Sequence, residues 1–224
     1  AHPEENLAEE SPEGKEVLPK DVKRSLTFLL ISIALWFIGY NAVETWFTTF
    51  ASRMWDMSLG GASMCLTIAT GGAILSYIPV GQLASRIGRR KTIIGGVLLL
   101  TACFAAAFVY TCFFHTFHVA LYLLFLLVGL AWASINVNSL PMVLEMCSGN
   151  DVGKFTGYYY TFSMAAQIVT PIVAGFLLNR IGYNALFPYA AVFVFGSFLT
   201  MTMVRHGDNK VEAKKGLEAF DVDD

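Results

Sequence analysis

Two long stretches without charge, separated by a cluster of basic residues, are the feature that most constrains this chain. Residues 57–85 contain no Lys, Arg, Asp or Glu, and neither do residues 92–144. Between them, Arg86, Arg89, Arg90 and Lys91 lie within six positions. A helix needs about 20 apolar residues to cross the hydrocarbon core, and Lys and Arg are retained on the cytoplasmic side. The pattern therefore predicts membrane helices joined by a tight basic turn at the cytoplasmic face.

Six apolar segments are long enough to span a bilayer. They cover residues 26–50, 62–83, 92–114, 119–144, 155–178 and 184–204. We expect a transmembrane domain over residues 25–205 between a polar cytoplasmic linker (1–24) and a charged cytoplasmic tail (206–224). The chain starts without Met and with an acidic segment, so we expect it to come from the middle of a longer protein.

Cation counting sets the predicted orientation. With the amino end inside, thirteen of the 15 Lys and Arg residues face the cytoplasm, and only Arg53 and Arg180 lie outside. The positive-inside rule then places both termini in the cytoplasm. The prediction is a multi-pass protein of the cell (inner) membrane, with the lipid bilayer as its first partner.

The charge distribution also excludes other classes of function. Of the 17 acidic residues, seven lie in residues 1–21 and six in residues 208–224, so the overall acidity belongs to the two ends. The basic cluster lacks interleaved aromatic residues, which argues against a nucleic-acid partner. No nucleophile elbow, zinc-protease or phosphate-loop motif is present. The four cysteines form no metal-ligand spacing, so we predict neither an enzyme nor a metal site.

A sequence repeat predicts the internal architecture. The pattern Gly-x-Leu-x-x-Arg-Ile-Gly occurs at residues 81–88 and again at residues 175–182. The first copy follows the second span on the inside, and the second copy follows the fifth span on the outside. This is the arrangement of two three-helix units of opposite topology. The predicted fold class is an all-α membrane bundle of six helices in two inverted repeats.

The basic turn, G-x-L-x-x-R-x-G-R-R-K over residues 81–91, resembles the loop motif of the major facilitator superfamily. Six spans after a long lead-in resemble the carboxy-terminal half of a twelve-helix member. The resemblance implies an amino-terminal six-helix half as partner, and it implies a gating role for the turn. The implied gating residues are Gly81, Ser85, Arg86, Gly88, Arg89 and Arg90.

One position departs from that motif. The family usually carries Asp where this chain has Ser85, and the aspartate is associated with closure of the cytoplasmic gate. A serine can accept a backbone N–H bond as a helix cap but carries no charge. We therefore expect a weaker gate in this half, or a stronger copy of the motif in the other half.

Three further stretches resemble sugar–cation symporters of the sucrose-transporter and glycoside–pentoside–hexuronide type. They are GYNAVET (39–45), NVNSLP (136–141) and GYYYTFS (157–163). The resemblance implies symport of a small polar solute, a sugar or a similar compound, by alternating access. The coupling ion would be H⁺ or Na⁺, and no other cofactor is expected.

Glu44 is the strongest single candidate because it is the only Asp, Glu, Lys or Arg inside the body of a predicted span. An ionisable group there costs about 2.5–3.5 kcal/mol on insertion scales, so it predicts a functional site. Asn41 and Thr48 lie one turn away on the same helical face. Together they could bind a cation or sugar hydroxyls. The alternative is that Glu44 lies near the outer interface and is simply hydrated.

The fourth and fifth spans supply the remaining candidates. Trp132 and Asn136 lie one turn apart, an apolar plate beside an amide that suits a sugar, and Asn138 follows them. The fifth span has polar residues at helical spacing, of which Tyr160, Ser163 and Gln167 are predicted to line the cavity. The alternative for both spans is polar packing between helices. Tyr158 and Tyr159 are expected in the interfacial aromatic belt.

Two other functions remain open from the sequence. One is a non-transporting membrane module built from a six-helix half. The other is an exporter of the same superfamily, which the amide and hydroxyl groups of the predicted spans disfavour, because exporters more often have apolar cavity walls.

Overall fold

The computed structural model describes residues 18–147 and 151–208, and within these ranges the regular structure is entirely helical. Six long helices follow one another along the chain. They are α1 (Lys20–Met54), α2 (Leu59–Ile87), α3 (Arg89–Phe113), α4 (Ala120–Leu144), α5 (Val152–Ile181) and α6 (Leu186–Thr202), with a 3₁₀ turn at Tyr183–Ala185 before α6. All six are long and apolar enough to cross a membrane. The prediction of an all-α membrane fold is confirmed.

Helix ends differ from the predicted spans in two informative places. Helix α1 begins at Lys20, so the last part of the predicted linker is its first turn and a half. Helix α2 continues to Ile87, and only Gly88 separates it from α3. The predicted basic loop is therefore mostly helical. The rest of the linker (1–17) and most of the tail (209–224) lie outside the described residues.

The two glycines that end the repeated motif adopt the same backbone conformation. Gly88 has φ 99° and ψ 147°, and Gly182 has φ 102° and ψ 154°. Each donates its N–H to the carbonyl four residues earlier, Ala84 or Leu178, and so ends its helix. A positive φ of this size is strained for residues with a Cβ atom. The repeat in the sequence is therefore also a repeat in local structure.

Helix packing follows the same two-fold relation. If α1, α2 and α3 correspond to α4, α5 and α6, the extensive packing of α2 on α4 matches that of α5 on α1. Likewise the packing of α1 on α6 matches that of α4 on α3. Each helix therefore packs mainly on the other unit, so neither three-helix unit forms a core by itself.

Small residues allow the helices to approach closely. A Cβ atom on Gly129 of α4 would lie 2.0 Å from the Ala69 carbonyl oxygen of α2. On α5, the ring of Trp46 covers Gly175, and its indole N–H donates to the Pro171 carbonyl at 3.0 Å. Such close packing stabilises the association of membrane helices, because the hydrophobic effect does not drive helices together within lipid.

Neighbouring glycines of α3 provide a direct test of this packing. A Cβ atom on Gly96 would lie 2.8 Å from the Ser134 Cβ and 2.9 Å from the Ala131 carbonyl oxygen, whereas one on Gly95 would meet nothing within 4 Å. Gly96→Ala should lower the stability of the purified protein by about 1–3 kcal/mol. Gly95→Ala is the matched control, and helix propensity should make it neutral or slightly stabilising. Thermal unfolding in detergent measures both, and equal behaviour of the two variants would contradict the packing described.

Candidate functional site

An aromatic stack joins the two inverted units near the middle of the bundle. The ring of Tyr40 in α1 lies parallel to that of Trp132 in α4, with centroids 3.8 Å apart and an interplanar angle of 7°. Phe37 meets the same indole edge-on at 5.1 Å. Trp132 is the central residue of the 25-residue helix α4. The stack therefore marks the middle of the bundle.

This stack corrects the expectation for Trp132. The sequence predicted an open indole plate for a sugar ring, but Tyr40 covers one face and Trp132 is only 9% exposed. The indole contributes to the contact between α1 and α4 instead. Tyr40 could not be recognised as its partner from the sequence, because a lone tyrosine in a span gives no signal of what it contacts.

Glu44 lies one turn beyond this stack, about 6 Å along α1 by helix rise. Its side chain is exposed. It borders a small cavity shared with Tyr40, Thr70 of α2 and Phe125 and Val128 of α4. The carboxylate is therefore close to the middle of the bundle and beside apolar neighbours. It faces a region that no described part of this chain covers.

The two neighbours of Glu44 on α1 differ from one another. Asn41 is buried, and its Nδ2 donates to the Phe37 carbonyl at 2.8 Å within its own helix. Thr48 is half-buried. The predicted trio thus shares a helical face, but only Glu44 and in part Thr48 are accessible. Asn41 uses its amide N–H to satisfy the helix backbone.

Helix α4 uses most of its predicted polar residues for structure. Asn138 is 2% exposed and donates to the Ser134 carbonyl at 2.9 Å. Ser139 lies 3.1 Å from the hydroxyl of Tyr159, a hydrogen bond that joins α4 to α5. Tyr159 is therefore a buried residue between helices and not a belt aromatic as predicted. Asn136 remains half-buried.

The polar residues of α5 divide between two faces. Ser163 is 1% exposed and lies against the rest of the bundle. Tyr160 and Gln167 are exposed, and Gln167 donates to the Ser163 carbonyl at 3.3 Å. The accessible candidates from the sequence are thus Glu44, Thr48, Asn136, Tyr160 and Gln167.

The other region of interest is the basic end of the bundle, which holds the start of α1, the α2–α3 turn and the ends of α4 and α6. Arg89 forms an ion pair with Glu145, which directly follows α4. Arg90 donates through Nη2 to the Thr202 carbonyl at the end of α6, at 3.0 Å. Arg86 is exposed, and a Cβ on Gly81 would meet nothing within 4 Å. The α2–α3 turn is thereby bound to α4 and α6.

Ser85 bonds within its own helix and does not cap a neighbouring one. Its hydroxyl donates to the Gln82 carbonyl at 2.7 Å, because α2 continues past it and the helix offers an acceptor three residues back. Asp208, beyond α6, accepts a hydrogen bond at the start of α3. Its Oδ1 accepts the Arg89 N–H at 2.6 Å, and its carboxylate lies against Gly88. A negative charge at the start of α3 is favourable, because the helix dipole is positive there.

These features define a six-helix membrane bundle with two-fold internal correspondence and a basic turn bound to the opposite unit. The same fold occurs in the crystal structure of the human organic anion transporter MFSD10 (TETRAN), with a TM-score of 0.64. The match covers 84% of this chain and 49% of that chain at 12% sequence identity, so it supports the fold alone.

The chain belongs to the Major Facilitator Superfamily, whose family model matches residues 29–221. It is 29% identical over 133 residues to the MFS-type transporter ppzB of Metarhizium rileyi, covering 58% of this chain and 26% of that protein. It is 26% identical over 175 residues to the uncharacterized protein YqgE of Bacillus subtilis, covering 75% of this chain and 39% of that protein. The chain thus spans between a quarter and a half of the relatives that it matches.

The Asp208 contact at the basic end can be tested through Cys147. Both residues border one cavity, and Cys147 is partly buried. The experiment uses a Cys112→Ala background, which lacks the exposed cysteine. In this background, Asp208→Asn removes the carboxylate charge at the start of α3, so Cys147 should react several-fold faster with a polar maleimide. Asp151→Asn, whose carboxylate pairs with Lys154, is the control. An unchanged Cys147 rate in Asp208→Asn would contradict the role of Asp208 in closing this end.

Proposed function

We propose that this chain is the carboxy-terminal half of a secondary transporter that moves a small polar solute together with a cation by alternating access. The observation that carries the proposal is Glu44, an exposed carboxylate beside the central Tyr40–Trp132 stack of a Major Facilitator Superfamily bundle. An ionisable side chain at this depth is costly unless a site uses it.

The solute is proposed from the groups that remain accessible. The carboxylate of Glu44, the phenol of Tyr160 and the amide of Gln167 are exposed on α1 and α5. All three groups can accept hydrogen bonds from sugar hydroxyls, and the phenol and the amide can also donate to them. The carboxylate can also bind H⁺ or Na⁺, and it would repel an anionic solute. Sugar–cation symport is therefore favoured over transport of an anion.

The proposed partner is an amino-terminal six-helix half of the same protein. Helix α2 exposes Leu75 and Ile78, and helix α5 exposes Ile168 and Ile172, each to about two-thirds or more. Gly71 and Gly157 on the same two helices have open space where a Cβ atom would be. Small residues of this kind let a second set of helices approach closely. A chain spanning 49% of its structural neighbour leaves room for such a half.

The basic end is proposed to face the cytoplasm, following the positive-inside rule. If the cavity opens toward that side, the Arg89–Glu145 ion pair and the hydrogen bond from Arg89 to Asp208 must either break or move as one unit. The exporter and the non-transporting module remain the alternatives, and the two experiments below separate them from symport.

The first experiment concerns completeness. The alternating-access motion rocks one half against the other, so residues 1–224 alone should show no gradient-driven uptake in proteoliposomes. Uptake should appear with the complete protein across a panel of sugars. Robust uptake by residues 1–224 alone would contradict the proposal of a half-transporter, whereas a complete protein that transports no solute would favour the module.

The second experiment concerns coupling. Glu44→Gln in the complete protein should abolish accumulation against a gradient, because glutamine cannot release a proton or neutralise a cation. Counterflow exchange should persist, because glutamine matches the protonated acid in size and hydrogen bonding. The measurement is uptake with and without an imposed H⁺ or Na⁺ gradient, beside counterflow without one.

Asp56→Asn is the matched control for Glu44→Gln. Asp56 lies in the α1–α2 turn with φ 51°, a conformation that asparagine tolerates well. The variant removes the same charge outside the proposed cavity and should transport normally. Full accumulation by Glu44→Gln would show that Glu44 is not the coupling group. Outward accumulation driven by the same gradients would identify an exporter.

A further inference from the structure

A polar cavity of about 350 Å³ lies at the basic end, where α1 begins and α6 ends. Its lining includes Arg24 on α1, whose guanidinium lies 5.7 Å from the Phe28 ring centroid, and Arg205 just after α6. Neither arginine forms an ion pair within residues 18–147 and 151–208. Two guanidinium groups that border one cavity without acidic partners make a site for an anion.

The remaining polar groups of the lining are already engaged. Asp21, the one acidic residue of the lining among residues 18–147 and 151–208, lies 3.3 Å from Nε2 of His206. The other ring nitrogen of His206 lies 2.8 Å from the Ser25 hydroxyl, which also accepts the Arg205 N–H at 3.2 Å. These contacts hold the α6 end against α1 and fix the backbone of Arg205. The two arginines outnumber Asp21 among the described residues of the lining, so the charge of these three residues is net positive.

An apolar stripe leads from this cavity along the membrane face of α6. Val192, Phe195, Leu199 and Met203 recur at helical spacing, and their side chains are 69%, 44%, 54% and 44% exposed. Residues three and four apart share one helical face. Met203 also lines the cavity, so the stripe and the cavity are continuous. A ligand with an anionic head and long apolar chains fits this surface better than a soluble anion.

We propose that this cavity binds the phosphate headgroup of an anionic phospholipid, whose acyl chains lie along the α6 stripe. Arg24 and Arg205 contact the phosphate, and the Thr202 side chain borders the same space. Basic cavities between helix ends at the membrane surface recognise anionic headgroups in this way. The lipid would link the ends of α1 and α6 at the same end of the bundle as the α2–α3 turn.

The test uses the complete protein in detergent, with native mass spectrometry of bound lipid. Phosphatidylglycerol should bind more tightly than phosphatidylcholine with the same acyl chains. The Arg24→Gln/Arg205→Gln variant should bind phosphatidylglycerol roughly 30-fold more weakly, because it removes two cations that attract the anionic headgroup. Arg24→Lys/Arg205→Lys keeps the charge and should retain most of the binding.

Lys23→Gln is the matched control, because Lys23 is exposed on the same turn of α1 and does not line the cavity. It should bind phosphatidylglycerol within about twofold of the unchanged protein, as its cation is outside the site. An equal loss in Lys23→Gln would overturn the proposal in favour of general surface charge. If the double glutamine variant does not fold, Arg24→Gln alone should still lose several-fold, and unchanged binding there would overturn the site.

A soluble arm distinguishes the lipid from a free anion. Glycerol 1-phosphate and inorganic phosphate carry the same head chemistry without acyl chains. Neither should displace phosphatidylglycerol at comparable concentration if the α6 stripe contributes. Equal displacement would overturn the lipid assignment. A variant that lacks residues 209–224 is the second check, and phosphatidylglycerol binding that appears only in this variant would also overturn the assignment.

Discussion

The constraint on which this structure depends is that the bilayer core supplies no water to satisfy polar groups. Helices satisfy their own backbone, and the polar side chains within them largely do the same. Asn41 and Asn138 each donate to the carbonyl four residues earlier, and Thr111 does so through its hydroxyl. A donor group inside a membrane helix therefore need not point to a partner in another helix or to a solute.

Glu44 is different for a chemical reason. An ionised carboxylate has acceptor atoms only, so it cannot bond the carbonyl groups of its own helix. It must meet a donor, a cation or a polar space, and the fold leaves it exposed next to the central Tyr40–Trp132 stack. Several amides and hydroxyls in these helices bond to carbonyl groups of their own helix, whereas an ionised carboxylate cannot. The contrast is the reason that the proposed function rests on this carboxylate and not on the neutral polar residues around it.

The basic end shows how a charge can be supplied from a distant part of the chain. Ser85 carries none, and its hydroxyl bonds within α2. The carboxylate at the start of α3 comes from Asp208, which follows α6 and lies 119 positions away from Arg89. Contacts of Arg89 and Arg90 with Glu145 and Thr202 bring the ends of four helices together. Asp208 therefore places a negative charge at the start of α3, close to the turn in which Ser85 has none.

The sequence by itself determined the membrane class, the six spans and the inverted repeat, and it singled out Glu44 as a candidate site residue. Hydrophobic length, charge and a repeated glycine motif are local properties, so they can be read along the chain. Only the tertiary structure decided which polar side chains are accessible: Trp132 is covered by Tyr40, Tyr159 is buried against Ser139, and Gln167 remains exposed. These outcomes depend on the rotation and contact of one helix against another, which spacing along a single helix does not specify.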